Sequence, residues 1–364
     1  MLVVVFVSIL AILFTHLEVK GQMNDGMKWG FVLLTVLGAI HYDYGNDYMS
    51  YYNLYKSIAS YNLSWKNLID VETFKDPGWT ILNWIFQCLG GFFMLVAVLN
   101  VIQNIIFYQF IRKYAPKEWW TVSVYIYAIC TSLYLINFSM MRQGFVGAIF
   151  LACWPLIEKK KPLYVLAILF LCSFVHGTAK VLLPFAFWGY APMKNGKYWV
   201  LAYMVLLLSL YLSVDLVNQI IEPFFAMESF EEYAEVYGKD DNNISFGGLG
   251  WWIYMIPVIV SMYYLFEKNE DSQSKKQLVA LSTIGSLILP FGTVMPMIGR
   301  LANYFVAFNL AAYPIAFSSI KNKTLRFVLL GLVLLIIFFD YYKFFNSPVW
   351  MKSYGIFCSI FSQI

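Results

Sequence analysis

Residues 139–180 read SMMRQGFVGAIFLACWPLIEKKKPLYVLAILFLCSFVHGTAK. Two apolar runs flank a tight basic turn, Glu158-Lys159-Lys160-Lys161-Pro162, which makes the stretch an up-and-down helical hairpin. Its polar ends fall together. Arg142 opens the first run and His176 closes the second, at the end of the hairpin opposite the three lysines. A charge held at membrane depth is costly. An ionisable residue at the margin of an apolar span is therefore either an anchor that snorkels to the interface or a working residue.

The composition carries the membrane reading to the whole chain. Of 364 residues, 60% are hydrophobic and 13% charged, where a soluble domain has roughly 25% charged residues. The fold class is an all-α, polytopic transmembrane helix bundle forming one integral-membrane domain, residues 1–364. Its 27 Tyr and 12 Trp suit aromatic belts at two interfaces. The net charge of +4 matters less than its distribution, and no nucleic-acid partner is indicated. Five scattered cysteines form no CxxC or Cys/His cluster, so neither a disulfide framework nor a zinc site is expected. His16 and His41 flank early spans and read as interface residues.

Met1 to Leu17 lacks a basic leader and a small-residue cleavage site and reads as a retained span. A second span runs from Trp29 to Ile40. Residues 41–90 form a Tyr-rich loop and an interfacial helix, with Trp79 to Leu89 lying in the interface. After Gly90-Gly91 a span runs to about Arg112, and others are expected near 119–138, 143–157, 162–176, 178–190, 198–217, 251–267, 277–297, 301–318 and 324–345. The total is eleven or twelve. Alternate loops hold Lys20 and Lys28; Arg112, Lys113 and Lys117; Lys159, Lys160 and Lys161; Lys194 and Lys197; Lys268, Lys275 and Lys276; and Lys321, Lys323 and Arg326. These are 16 of the 25 Lys and Arg residues, so this set is expected to be cytoplasmic. The Tyr-rich loop, Arg142, His176, Lys180, Arg300 and both termini then face outside. The acidic segment 218–250 also lies outside and reads as a solvated loop, with a helix ending in a Gly-rich turn as the alternative. No internal repeat supports an inverted-repeat transporter.

The outward face collects a distinctive set. Arg142-Gln143 and Arg300 open spans, and His176 and Lys180 sit near the end of another. Arginine presents a planar fork matched to phosphate oxygens, and a helix N-terminus favours anions. If the two arginines face one cavity, they make a phosphate or diphosphate pocket, with Gln143 and Lys180 as further contacts. Asp47 and Asp76 are the nearby carboxylates. Flat, polar-tipped tyrosines such as Tyr48, Tyr51 and Tyr304 suit sugar rings, and they equally suit an aromatic belt.

The ordered pieces Asn46-Asp47-Tyr48-Met49-Ser50-Tyr51, Asp76-Pro77-Gly78-Trp79, Arg142-Gln143, His176 followed by small residues, and Arg300 with Tyr304 resemble the EpsG family of bacterial exopolysaccharide polymerases. That family is related to the Wzy-type O-antigen polymerases. Two positions depart from its pattern: Asp76 stands where Glu usually precedes Pro-Gly, and Gly177 stands where Lys often follows the histidine. The resemblance implies a glycosyltransferase of the bacterial cytoplasmic membrane whose site faces outside. It would act on a polyprenyl-diphosphate-linked oligosaccharide, among membrane lipid and other polysaccharide-assembly proteins. Arg142 and Arg300 would stabilise the leaving diphosphate, and His176, Asp47 or Asp76 would serve as base. Neither a cofactor nor a metal is expected. The competing classes are a lipid-linked glycan flippase and a membrane acyltransferase that uses His176.

Overall fold

Backbone inside hydrocarbon must satisfy its own hydrogen bonds, which leaves helices as the solution for these apolar runs. The structure is a computed structural model that describes residues 2–60, 76–193, 196–212, 249–267, 272–289, 296–351 and 354–356. It is almost entirely helical, as the composition requires. Among the described residues three helices are long and apolar enough to cross a membrane alone: α1 (Leu2–Val19), α5 (Gly91–Tyr114) and α17 (Lys323–Phe345). Between α1 and α5 come α2 (Gly26–Ile40), the short strand β1 (His41–Tyr42), α3 (Tyr48–Ser60) and α4 (Pro77–Cys88).

Several expected spans are assembled from pieces. The run 119–138 breaks into α6 (Trp120–Ile129) and α7 (Ile136–Ser139), because the chain turns extended at Cys130 and Tyr134 N–H bonds back to the Tyr127 carbonyl. The run 143–157 divides into α8 (Met141–Ala152) and α9 (Trp154–Glu158), the latter with Pro155 in its first turn, where a missing N–H costs least. α10 (Pro162–Val175) is continuous, but 178–190 lies in a 3₁₀ helix, Gly177–Tyr190, that contains Pro184. Then follow α11 (Gly196–Leu212), α12 (Leu249–Tyr254), α13 (Ile256–Phe266) and α14 (Gln273–Ile288). The 301–318 span is the pair α15 (Pro296–Val306) and α16 (Asn309–Ser318), bent by 68°. α18 (Pro348–Met351) and the strand β2 (Gly355–Ile356) end the described chain. The acidic segment 218–250 lies outside the described residues except for its last two, which begin α12.

Side-chain contacts gather the basic loops at one end of the bundle. Arg112 lies 3.9 Å from Glu18 and 3.8 Å from Asp25, joining the 112–117 loop to the first turn. Tyr114 and Ser274 both donate to Glu158, at 3.2 and 2.7 Å, which adds the lysine turn and the loop before α14. Gln277 donates to the Ala191 carbonyl at 2.9 Å, and Lys321 pairs with Glu267 at 3.4 Å. The described residues of all six loops that the charge pattern grouped therefore share one end, while Lys194 and Lys268 lie outside the described residues.

The opposite end carries an aromatic layer. Tyr48 and Tyr51 of α3 and Trp79 of α4 are buried with Phe92, Leu95, Val96 and Leu99 of α5 and Met141 of α8. The helical spacing of the tyrosines turns them to one face, and that face seats α3 and α4 on the ends of α5 and α8. β1 pairs antiparallel with β2, His41 opposite Ile356, and fastens the end of the described chain to the same layer.

Candidate functional site

The residues singled out in the sequence converge beside this aromatic layer. Arg142 stands in the first turn of α8, after a break at Met140 where the backbone leaves helical geometry. Asp76 is the N-cap residue of α4, with Pro77 as the first helical residue. Its side chain makes no cap hydrogen bond to its own helix. The carboxylate instead turns outward and pairs through Oδ2 with the Arg142 guanidinium, while Oδ1 accepts the Gly177 backbone N–H at 3.1 Å. Only 10% of the Asp76 side chain and 22% of the Arg142 side chain are exposed, so solvent screens this pair weakly. Gly78 permits the approach: a Cβ there would sit 2.8 Å from the backbone carbon and 2.9 Å from the carbonyl oxygen of Phe174, near the C-terminus of α10. The end of α10, where the extended His176 stops the helix, is thus held against the start of α4.

Tyr51 supports the guanidinium from the other side. Arg142 Nε donates to Tyr51 Oη at 3.4 Å, and the guanidinium carbon lies 5.2 Å from the ring centroid. Tyr51 in turn packs edge-on against Trp79. Next along α8, Gln143 Nε2 donates to the backbone carbonyl of Arg300, which ties α8 to α15. One turn further along α15, Tyr304 Oη and Thr178 Oγ1 share a hydrogen bond of 2.7 Å, which ties α15 to the segment after His176.

Asp47, in the link before α3, joins the cluster through its backbone N–H, which donates to Ser139 Oγ at 3.3 Å. Burial holds its carboxyl above the usual carboxylate range. The Arg300 charge, then that of Arg142, then hydrogen bonding with Ser139 oppose the shift. Both arginines therefore act on one carboxylate from two helices. His176 is half-buried, directly before the Gly177 N–H that holds Asp76.

Asp47, Asp76, Arg142, Gln143, His176, Arg300, Tyr51 and Tyr304 thus belong to one neighbourhood. Lys180 does not join it: it is exposed and makes no ion pair among the described residues. The three tyrosines expected at the sugar are all buried. Tyr48 is fully buried, with its hydroxyl donating to the His41 carbonyl at 3.2 Å. Tyr51 is 7% and Tyr304 1% exposed. Two of the three, Tyr51 and Tyr304, brace the polar cluster through their hydroxyls. Sequence reasoning assigned no role to Ser139, Thr178 or the Gly177 N–H. Ser139 and Thr178 are common polar residues inside a decisive stretch, but a backbone N–H belongs to every residue except proline and leaves no signal. Among the described residues no group of three or more His, Cys, Asp or Glu side chains is placed to hold a metal ion.

Comparison with curated proteins gave no match, and comparison with solved structures gave none. A family model does match, over residues 29–357, and those residues contain every element of the cluster. The chain is accordingly a membrane protein of polysaccharide biosynthesis that belongs to the EpsG family.

Proposed function

We propose that this protein is a polysaccharide polymerase that joins polyprenyl-diphosphate-linked glycan repeat units at the outer face of the cytoplasmic membrane. The observation that carries the reading is the Arg142–Asp76 pair with Arg300 tied beside it through Gln143. Two arginines, Arg142 in the first turn of α8 and Arg300 in the second turn of α15, on adjoining helices at the end opposite the basic loops, suit a diphosphate at the lipid surface. In the resting protein the Asp76 carboxylate occupies the Arg142 fork and the Gly177 N–H. An entering diphosphate competes for these donors.

In the reaction, an acceptor sugar hydroxyl attacks the anomeric carbon of the donor glycan. The new glycosidic C–O bond forms, the bond to the diphosphate oxygen breaks, and the polyprenyl diphosphate leaves with the electron pair. Arg142 and Arg300 stabilise the charge that grows on that leaving group. The hydroxyl proton passes to a base. His176 and Asp47 suit this role better than Asp76, which is engaged by Arg142. Burial of Asp47 makes it a stronger base than an exposed carboxylate. Lys180, exposed near the cluster in sequence, suits a contact at the mouth. The partners are the lipid-linked oligosaccharide, membrane lipid and other assembly proteins, and the reaction proceeds without a metal ion.

The test is complementation of a host lacking this chain with wild type and Arg142→Ala at matched membrane levels, with the surface glycan resolved by size. Arg142→Ala should leave single repeat units outside and no polymer. Full-length polymer would reduce Arg142 to an anchor and refute the reading. Absence of any exported repeat unit would favour a flippase. Polymerisation by the purified protein should survive exhaustive chelation, and activity restored only by an added divalent ion would reverse the metal-independent assignment.

A further inference from the structure

Beside the ion-paired cluster lies a small cavity. Its polar walls are Ser132, Asn137, Gln143 and Asn303, and Gly144 and Gly147 complete the side formed by α8. Asn137, on α7, is 2% exposed, and neither its Oδ1 nor its Nδ2 has a hydrogen-bond partner. A buried amide with both ends unmet is strongly disfavoured unless a water serves it. The local sequence holds the amide in place: Gly144 has no side chain, and a Cβ there would collide with Asn137 Oδ1. The cavity gives the centre of a water molecule about 10 Å³, the size at which one water fits. The walls supply both donors and acceptors.

The position gives such a water a role. Gln143 is the residue whose side chain holds the Arg300 carbonyl. Asn303 lies one helical turn beyond Arg300 on α15. A water in the cavity touches α7, α8 and α15, the elements that fix Arg300 relative to Arg142.

We propose that this cavity is a single-water site, that its water bonds the Asn137 amide and bridges it to Gln143 and Asn303, and that Asn137 is thereby a positioning residue for Arg300. The site itself rests on burial and hydrogen-bond geometry. Its positioning role rests on the diphosphate reading above.

The direct test is a cryo-EM map of the full chain in lipid nanodiscs at a resolution that shows ordered water. A peak within hydrogen-bond reach of Asn137 Oδ1 or Nδ2 is expected. A dry cavity, or an Asn137 amide turned onto a protein partner, overturns the site. Asn137→Leu supplies an independent sign test because it keeps the bulk and removes both polar atoms. If a bound water is lost, Tm falls by a few degrees. If the amide was unserved, the same change relieves two unmet groups and raises Tm, which again overturns the site.

Positioning is read by affinity for farnesyl diphosphate. Asn137→Leu should weaken binding about 10-fold, while Asn137→Ser, which keeps a hydroxyl within reach of water, should stay close to wild type. Unchanged affinity in Asn137→Leu removes the positioning role. No binding by wild type refutes the diphosphate reading and the positioning role with it, while the map and the Tm sign still decide the water site.

Discussion

The Arg142–Asp76 pair gives the sharpest energetic prediction. Arg142→Ala leaves a carboxylate that is 10% exposed with the Gly177 N–H as the hydrogen bond that remains from this pairing. A hydrogen bond to a charged group contributes about 1.5–3 kcal/mol, and losing it leaves a poorly solvated charge. A destabilisation of about 2–3 kcal/mol is expected. Asp76→Ala leaves the guanidinium stacked on Tyr51, a contact that offsets about 0.5–1 kcal/mol, so its cost should be smaller, about 1.5–2 kcal/mol. Neither figure is a pure pair energy, and the double variant isolates the coupling. With both charges gone, its loss should fall short of the sum of the single losses by about 1.5–3 kcal/mol. The assay is equilibrium unfolding of the four proteins in mixed micelles at one pH and ionic strength. Additivity within about 0.5 kcal/mol would mean the two groups do not interact in the folded protein, and the self-occupied anion site would be abandoned.

Three further outcomes follow from other contacts. His41, just beyond the end of α2, is fully buried, and burial pushes its imidazole from 6.5 down to about 4 against the pull of the Gly38 carbonyl. The unfolded chain takes up the proton first, so stability should fall as pH drops from 6.5 to about 4, by about 3 kcal/mol in total. His41→Phe should flatten that part of the stability profile, and an unchanged slope would exclude His41. Gly78→Ala should push α4 off the end of α10, because its Cβ meets the Phe174 backbone at 2.8–2.9 Å. A loss of about 1–3 kcal/mol together with shorter polymer is expected, and wild-type values of both in unfolding and glycan sizing would discount the close approach. Asp76→Glu adds one methylene and should break either the Gly177 contact or the Arg142 pair. Gly177→Lys is spatially tolerated, since its Cβ would meet Asp76 Oδ1 at 3.8 Å, and it offers the displaced carboxylate a second cation. The double variant should recover polymer length lost by Asp76→Glu alone, and no recovery would show that the two departures from the family pattern are unrelated.

Helical hairpins and loop charge were legible because each leaves a periodic or countable trace. The turn at 158–162 and the six basic loops locate one end of the bundle, and contacts such as Gln277 to Ala191 bear that grouping out. Arg142 and Arg300 were legible for a related reason: a permanently charged group at the edge of an apolar run stands out. The breaks at Cys130 and Cys153 were not, since local hydropathy continues through them and tertiary packing decides whether the helix does.

Tyr48 shows the same limit from the opposite side. Its spacing defines a helical face, but aromatic rings serve a core and a sugar equally well in composition, and only packing against Phe92 and His41 assigns it to the core. The cluster depends most on features with no residue signature: an extended residue at 176, a backbone N–H at 177 and the missing Cβ at Gly78. They determine that Asp76, a residue well suited to cap its own helix, instead occupies the fork of Arg142. The side chains name the chemistry of this site, and backbone proximity selects which of several plausible partners each side chain meets.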